Sequence, residues 1–397
     1  MLGWIEGAMG DSKLAFHRRR GEHGQTIILV AVSLVSLLAM AALAIDVVTL
    51  YVAKSEMQRA ADAAALAGAK AFVDSGVTSD PTNLARQGTA QVIAQQVITS
   101  ILPENRIEGA PPVLVGTPTF DFTRNGNPQV TVSLQRTDLP TFFARIWGRR
   151  LSTVSATAVA EAYNPSNAAA GYPPITPKCV KPMMVTNVAP NQFVDPATFV
   201  PTPGLIGTPI TLTPCGGAGC GTNQFRPALV DPATPKLCPA CQGVFDYENG
   251  IECCDTTVYA CGTTATPVNV DTTMSGPGLM GARTNNGLQC MTNNPAQDTI
   301  DTTDLTAGTG PAHITAGSGP QSGNLVTTSR SVANLPIIDS PTTPTVHVIG
   351  FLQVFVDAST PASVTAHILN IVGCGNAGAG AAVLGGGYSP IPVRLIH

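Results

Sequence analysis

Ten cysteines carry most of the reactive chemistry in this chain: Cys179, Cys215, Cys220, Cys238, Cys241, Cys253, Cys254, Cys261, Cys290 and Cys374. Three chemistries suit them. An even count spread through long loops fits a disulfide framework. Cys215-x4-Cys220 together with Cys238-x2-Cys241 offers four thiolates to a tetrahedral metal. Cys238-Pro239-Ala240-Cys241 has the spacing of a redox pair, though no βαβ pattern surrounds it. The compartment decides between them, because an oxidising space removes free thiolates. Adjacent Cys253 and Cys254 are expected to reach separate partners.

The remaining candidates are sparse. No G-x-S-x-G, H-E-x-x-H or Walker loop is present, so no catalytic residue and no cofactor is predicted. His347 and His367 lie in alternating segments and are expected to be structural. Asp298, Asp301 and Asp304 recur every third residue in a Thr-rich stretch, a pattern that a weak Ca²⁺ site or a solvated loop both satisfy, and the loop is preferred. Arg145, Arg149 and Arg150 have neither a Gly-rich loop nor an aromatic platform beside them. A solvated basic edge is therefore expected, and the net charge of -4 excludes a strongly basic nucleic-acid binder. No nucleic-acid partner and no small-molecule substrate is predicted.

Composition narrows the class further. The 397 residues are 44% hydrophobic but only 12% charged, which excludes disorder driven by high net charge. Gly (39) and Pro (33) are abundant, yet no every-third-residue glycine period exists, so the chain is not collagen-like.

The elements that must position these residues start with an apolar run. Gln25 to Ile45 is 21 residues without a charge, enough at about 1.5 Å each to span a hydrocarbon core of about 30 Å. Lipid offers backbone groups no partner, so the run must be helical. Arg18, Arg19 and Arg20 flank its start and Asp46 its end, which predicts a cytoplasmic N-terminus and an extracytoplasmic body. All ten cysteines then face an oxidising space, and disulfides become the favoured reading. A cleaved secretory signal is the rival, with Ala39, Ala42 and Ala44 imitating a cleavage site, but helix formers continue without a break. Asp46 is read as a solvated residue marking the end of the hydrocarbon, with pairing inside an assembly as the alternative.

Between Asp46 and Val73 there is no Pro, and Ala, Leu, Met, Gln and Lys dominate, so residues 24–73 are predicted to form one transmembrane and extended helix. Its small-residue face, centred on Ala61 and Ala65, lets a packing partner approach closely, and Val48, Val52 and Leu66 are expected to be covered as well. Residues 1–23 form a basic cytoplasmic segment. Residues 74–164 read as a helix (82–102), then strands at 113–115, 119–122, 129–134 and 151–160. A short helix from Leu139 to Trp147 is expected to turn Phe142, Phe143, Ile146 and Trp147 inward. Asn164 to Gly171 reads as a linker. Beyond it long helical patterns fade, and only 19 of the last 233 residues are charged, so 165–397 is expected to be a β-rich, loop-heavy, cysteine-containing domain. Gly278, Gly281 and Gly287 are expected at turns or close backbone approaches. The fold class is α+β.

One resemblance joins these features. Arg18-Arg-Arg-Gly21, Gly24-Gln25, Ala44-Ile45-Asp46, Tyr51 and Gln58…Ala60-Ala61-Asp62-Ala63-Ala64-Ala65-Leu66-Ala67 follow one another as in the N-terminal segment of the TadE/TadG-like proteins of tight-adherence (Flp) pilus assembly. The blocks around Pro277–Leu288, Arg330–Asp339 and Val346–Leu352 also resemble those of larger TadG-type members. Pilin processing in such families uses a glycine followed, at the fifth apolar position, by Glu. Here that position holds Leu29 after Gly24 and Thr26 after Gly21, which implies an unprocessed anchor rather than the bulk filament subunit. The Asp-x-Ser-x-Ser triplet of von Willebrand-type domains is absent. The resemblance implies a non-enzymatic, single-pass assembly component of the bacterial inner membrane. Its implied partners are inner-membrane lipid and other pilus assembly subunits. The alternative is a membrane-tethered extracytoplasmic hydrolase or carbohydrate-binding module.

Overall fold

The computed structural model describes residues 22–123, 126–144, 148, 151–167, 173–190, 192–216, 219–235, 245–261, 265–274, 276–339, 344–375, 383–384 and 389–396. Two compact units emerge, one formed by residues 1–53 with 137–154, the other by 54–136 with 155–397. The architecture is α+β, with a long apolar N-terminal helix followed by a β-rich, disulfide-containing domain that includes a closed barrel.

Helix α1 (Glu22–Asp74) is continuous over 53 residues, as the missing prolines require. Helix α2 (Leu84–Ile101) begins where Asn83 Oδ1 accepts the N–H groups of Ala85 and Arg86 at 3.1 and 3.2 Å. Strands β1 (Val113–Leu114), β2 (Thr119–Asp121), β3 (Gln129–Pro140) and β4 (Leu151–Ala162) follow. The sequence reading of these elements holds, except that β3 runs on through Leu139 and Pro140. The helix expected from Leu139 therefore does not form over 139–143, and Ala144 lies in a 3₁₀ turn; Ile146 and Trp147 lie outside the described residues.

The second unit packs the distal part of α1 onto α2 and β3. A Cβ on Gly68 would stand 2.8 Å from Cδ1 of Ile98 and 3.4 Å from Cγ1 of Val130, so any larger residue would make the Ile98 side chain shift. Phe72 meets Phe120 and Phe122 edge-on.

After β4 come β5 (Ile175–Thr176), β6 (Met183–Thr186), β7 (Pro209–Pro214), β8 (Gln224–Pro227), α3 (Asp246–Glu252), β9 (Val268–Asn269) and α4 (Pro277–Met291). Then follow β10 (Thr299–Asp301), α5 (Thr303–Ala307), β11 (His313–Thr315), β12 (Leu325–Val326) and β13 (Val332–Ile338). The chain continues with β14 (Thr345–Val346), β15 (Val348–Ser359), β16 (Val364–Gly373), β17 (Val383–Leu384) and β18 (Val393–Ile396). Six strands close a barrel in the order β13-β15-β16-β7-β8-β6, with β7/β8 and β13/β6 parallel. The hydrophobic core of the domain draws Phe225, Leu335, Leu352, Val354, Phe355 and Ile371 from these strands, together with residues of α3 and α4.

Two findings depart from the sequence reading, and a third supplies a pairing that the sequence left open. Asn164 to Asn167 is no linker: Asn164, Pro165 and Ser166 are buried in a 3₁₀ turn. Asn164 Nδ2 donates to the carbonyls of Thr78 (2.9 Å) and Ile371 (3.2 Å), and the Gly373 N–H donates to Ser166 Oγ at 2.6 Å. Short polar side chains here serve buried backbone groups rather than solvent. Second, α4 is a helix of 15 residues spanning all three glycines expected at turns. Gly281 and Gly287 do mark close approaches, to the Pro361 carbonyl and to Ile251, whereas nothing lies within 4 Å of a Cβ on Gly278. Third, β18 leaves the barrel and pairs antiparallel with β4, Arg394 opposite Glu161, so the last strand completes the sheet begun before residue 164.

Candidate functional site

The first site follows directly from the end of the apolar run. Asp46 is only 3% exposed, and its carboxylate accepts three consecutive backbone N–H groups. Phe142 donates to Oδ1 at 2.9 Å, and Phe143 and Ala144 donate to Oδ2 at 3.0 and 2.6 Å. The solvated reading of Asp46 is thereby corrected. Its carboxylate instead supplies the acceptors for three successive backbone donors just beyond β3. Phe142, expected to face inward, is 56% exposed.

The small-residue face is covered by the chain itself. Ala61 and Ala65 are fully buried, together with Met57, Ala64 and Ala69. Val48 and Val52 are not covered as expected, being 60% and 42% exposed, and Leu66 is half-buried. Nearby, Lys54 Nζ donates to the Ser155 carbonyl and Gln58 Nε2 donates to Asp62 Oδ1 at 2.8 Å. Arg18, Arg19 and Arg20, like Arg145, Arg149 and Arg150, lie outside the described residues.

Titratable groups in the β-rich domain form local pairs. His367 Nδ1 sits 2.8 Å from Asp357 Oδ2, His347 Nδ1 3.3 Å from Asp339 Oδ2, and His313 Nε2 3.2 Å from Asp304 Oδ2. Burial pushes the Asp357 carboxyl upward, against the lowering effect of His367. The Asp298, Asp301 and Asp304 carboxylates turn to different partners: Ser329 Oγ and the Gly317 N–H, the Thr303 N–H, and His313 with Thr309. Among the described residues no group of three His, Cys, Asp or Glu is placed to hold a metal.

A polar cleft of about 360 Å³ is lined by Thr292, Asn293, Ala296, Asp298, Ser318 and Arg330. Both oxygens of its carboxylate are already taken, by Gly317 N–H at 2.9 Å and Ser329 Oγ–H at 2.6 Å.

The cysteines form the bracing expected of them. Cys179 bonds to Cys254, Cys215 to Cys220 and Cys261 to Cys374. Cys253 and Cys290 are disulfide-bonded too, while Cys238 and Cys241 lie outside the described residues. Cys215 and Cys220 are thus unavailable as metal thiolates, and neighbouring Cys253 and Cys254 do reach separate partners. Beside this framework sequence reasoning missed a buried cluster. Lys181 Nζ donates to the Cys253 carbonyl at 2.7 Å, and Asp255 accepts from Tyr259 Oη (2.6 Å) and Thr234 Oγ1 (3.0 Å). Burial lowers the Lys181 ammonium to about 8 despite the nearby Asp255 charge. No local sequence signal marks it, because the burial is created by strands distant in the chain.

These features define a class: a protein with, among the described residues, one N-terminal helix long and apolar enough to cross a membrane and a β-rich, disulfide-braced body. Residues 24–71 match a family model described as "Putative Flp pilus-assembly TadE/G-like", while 72–397 is unassigned. No curated protein and no solved structure matches the chain.

Proposed function

We propose that this chain is a non-enzymatic, membrane-anchored component of a tight-adherence (Flp) type pilus assembly system. In this reading its N-terminus is cytoplasmic and its body lies in the periplasm or beyond. Residues 1–23 form the cytoplasmic segment, 24–73 the anchor and extended helix, 74–164 a pilin-like unit and 165–397 the distal domain. The observation that carries the reading is the family match over 24–71, which spans the apolar run and also the Ala61/Ala65 face. That face is buried within the chain, and Gly68 on the same helix lies against Ile98 of α2 and Val130 of β3. The basic flank supports the orientation, and the disulfides support an oxidising location.

The competing reading, a tethered hydrolase or carbohydrate-binding module, finds one candidate site in the polar cleft, where Asp298 accepts from the Gly317 N–H and from Ser329 Oγ. Deleting the gene and restoring the full chain tests the proposal. Loss of surface pili that the full chain restores is expected; pili and attachment unchanged by the deletion would overturn it.

A further inference from the structure

The Asp46 carboxylate links the membrane boundary to a second piece of the chain. A 21-residue helical run rises about 31 Å, so Asp46, the next residue, stands at the edge of a hydrocarbon core of about 30 Å. The three N–H groups it holds within 3.0 Å belong to Phe142, Phe143 and Ala144. Those residues therefore share its depth. On the same segment, within the same compact unit, Phe142 (56% exposed) and Leu151 (57%) present apolar surface without protein cover.

We propose that the end of β3 and the start of β4, residues 137–144 and 151–154, form a second membrane contact lying in the interfacial layer of the leaflet at the Asp46 end of the span. The proposal rests on the membrane-anchor reading above. Its occupant is the lipid surface itself, because Asp46 fixes the segment beside a helix whose neighbouring residues already require lipid. The carboxylate tolerates that position because three backbone donors replace its water. Phe142 and Leu151 supply the apolar contact that interfacial binding scales with. One helix and one hairpin end would fix the rotation of the anchored chain about its axis, which a lone helix leaves free.

Depth measurement with spin labels tests this. Phe142→Cys and Leu151→Cys are labelled singly in the full chain, whose described native cysteines are all in disulfides. The protein is reconstituted in phosphatidylcholine–phosphatidylglycerol vesicles, and collision with oxygen is compared with collision with a water-soluble nickel chelate. Labels at Val35→Cys (mid-span) and Val258→Cys (exposed on the body) set the two limits. The labels at 142 and 151 are expected to be shielded from nickel roughly threefold or more relative to 258. Adding Asp46→Ala is expected to return the 142 label toward the value at 258. Nickel access at 142 and 151 equal to that at 258, with 35 still in lipid, would overturn this proposal alone. Nickel access at 35 would overturn the membrane anchor as well.

Discussion

The Lys181 ammonium donates to the carbonyl of Cys253 at 2.7 Å in a position almost sealed from water. One cysteine further on, Cys254 is bonded to Cys179, so Lys181 is enclosed by a covalently fixed corner. Burial lowers its proton affinity from the ordinary 10.5 to about 8. Between those values the unfolded chain binds the extra proton, so stability rises with pH. The gain is absent below about pH 8 and would total about 3 kcal/mol once complete near pH 10.5. Burial pushes the Tyr247 and Tyr259 hydroxyls the other way, so above about pH 10 the unfolded chain ionises first and stability falls. Thermal unfolding followed by near-UV circular dichroism should show a maximum at about pH 9–10. Lys181→Met should abolish the rise while keeping the fall.

Gly281 and Gly278 sit three residues apart on α4 and should respond with opposite signs. A Cβ on Gly281 would overlap the Pro361 carbonyl, a backbone atom that cannot swing away. Gly281→Ala should destabilise by about 1–3 kcal/mol. Gly278→Ala meets open space and should stabilise by about 0.5 kcal/mol through helix propensity. Urea midpoints of the two variants give the comparison.

The disulfides should differ in weight by loop length. Cys261–Cys374 closes a separation of 113 residues and Cys215–Cys220 one of 5. Loop-closure entropy assigns about 5 and about 2 kcal/mol respectively. Paired Cys→Ala variants of each bridge, measured by denaturant unfolding, should preserve that order.

Asp46→Ala should act locally. With its carboxylate gone, the amides of Phe142, Phe143 and Ala144 lose their acceptors. Hydrogen exchange in nanodiscs should quicken at these three positions and stay unchanged at β15 and β16. Unaltered exchange at 142–144 would mean that the carboxylate does not hold the segment.

What the sequence made legible follows the reach of each interaction. The span from Gln25 to Ile45 needs no partner to declare itself, and strand alternation within β3 and β4 is equally local. The fate of Asp46 was hidden because its donors lie 96 to 98 positions away. Helix α4 was masked by its glycines and asparagines, although Met280, Thr284, Leu288 and Met291 recur at helical spacing and are buried. That periodicity was the available signal; tertiary packing overrides the weak propensity. Barrel strands such as β6 and β8 have four residues each, too few for a period to show, and the parallel neighbour of β6 is β13, about 150 positions away.

The pairing of β18 with β4 gives synthesis order a structural meaning. Glu161 receives Arg394 at 2.6 Å across 233 positions, after every barrel strand has been made. Until Val393–Ile396 arrives, β4 offers an open ladder to whatever strand is nearest. A chain cut short between β16 and β18 would carry an intact barrel beside a vacant sheet margin, ready to borrow the missing strand from another copy.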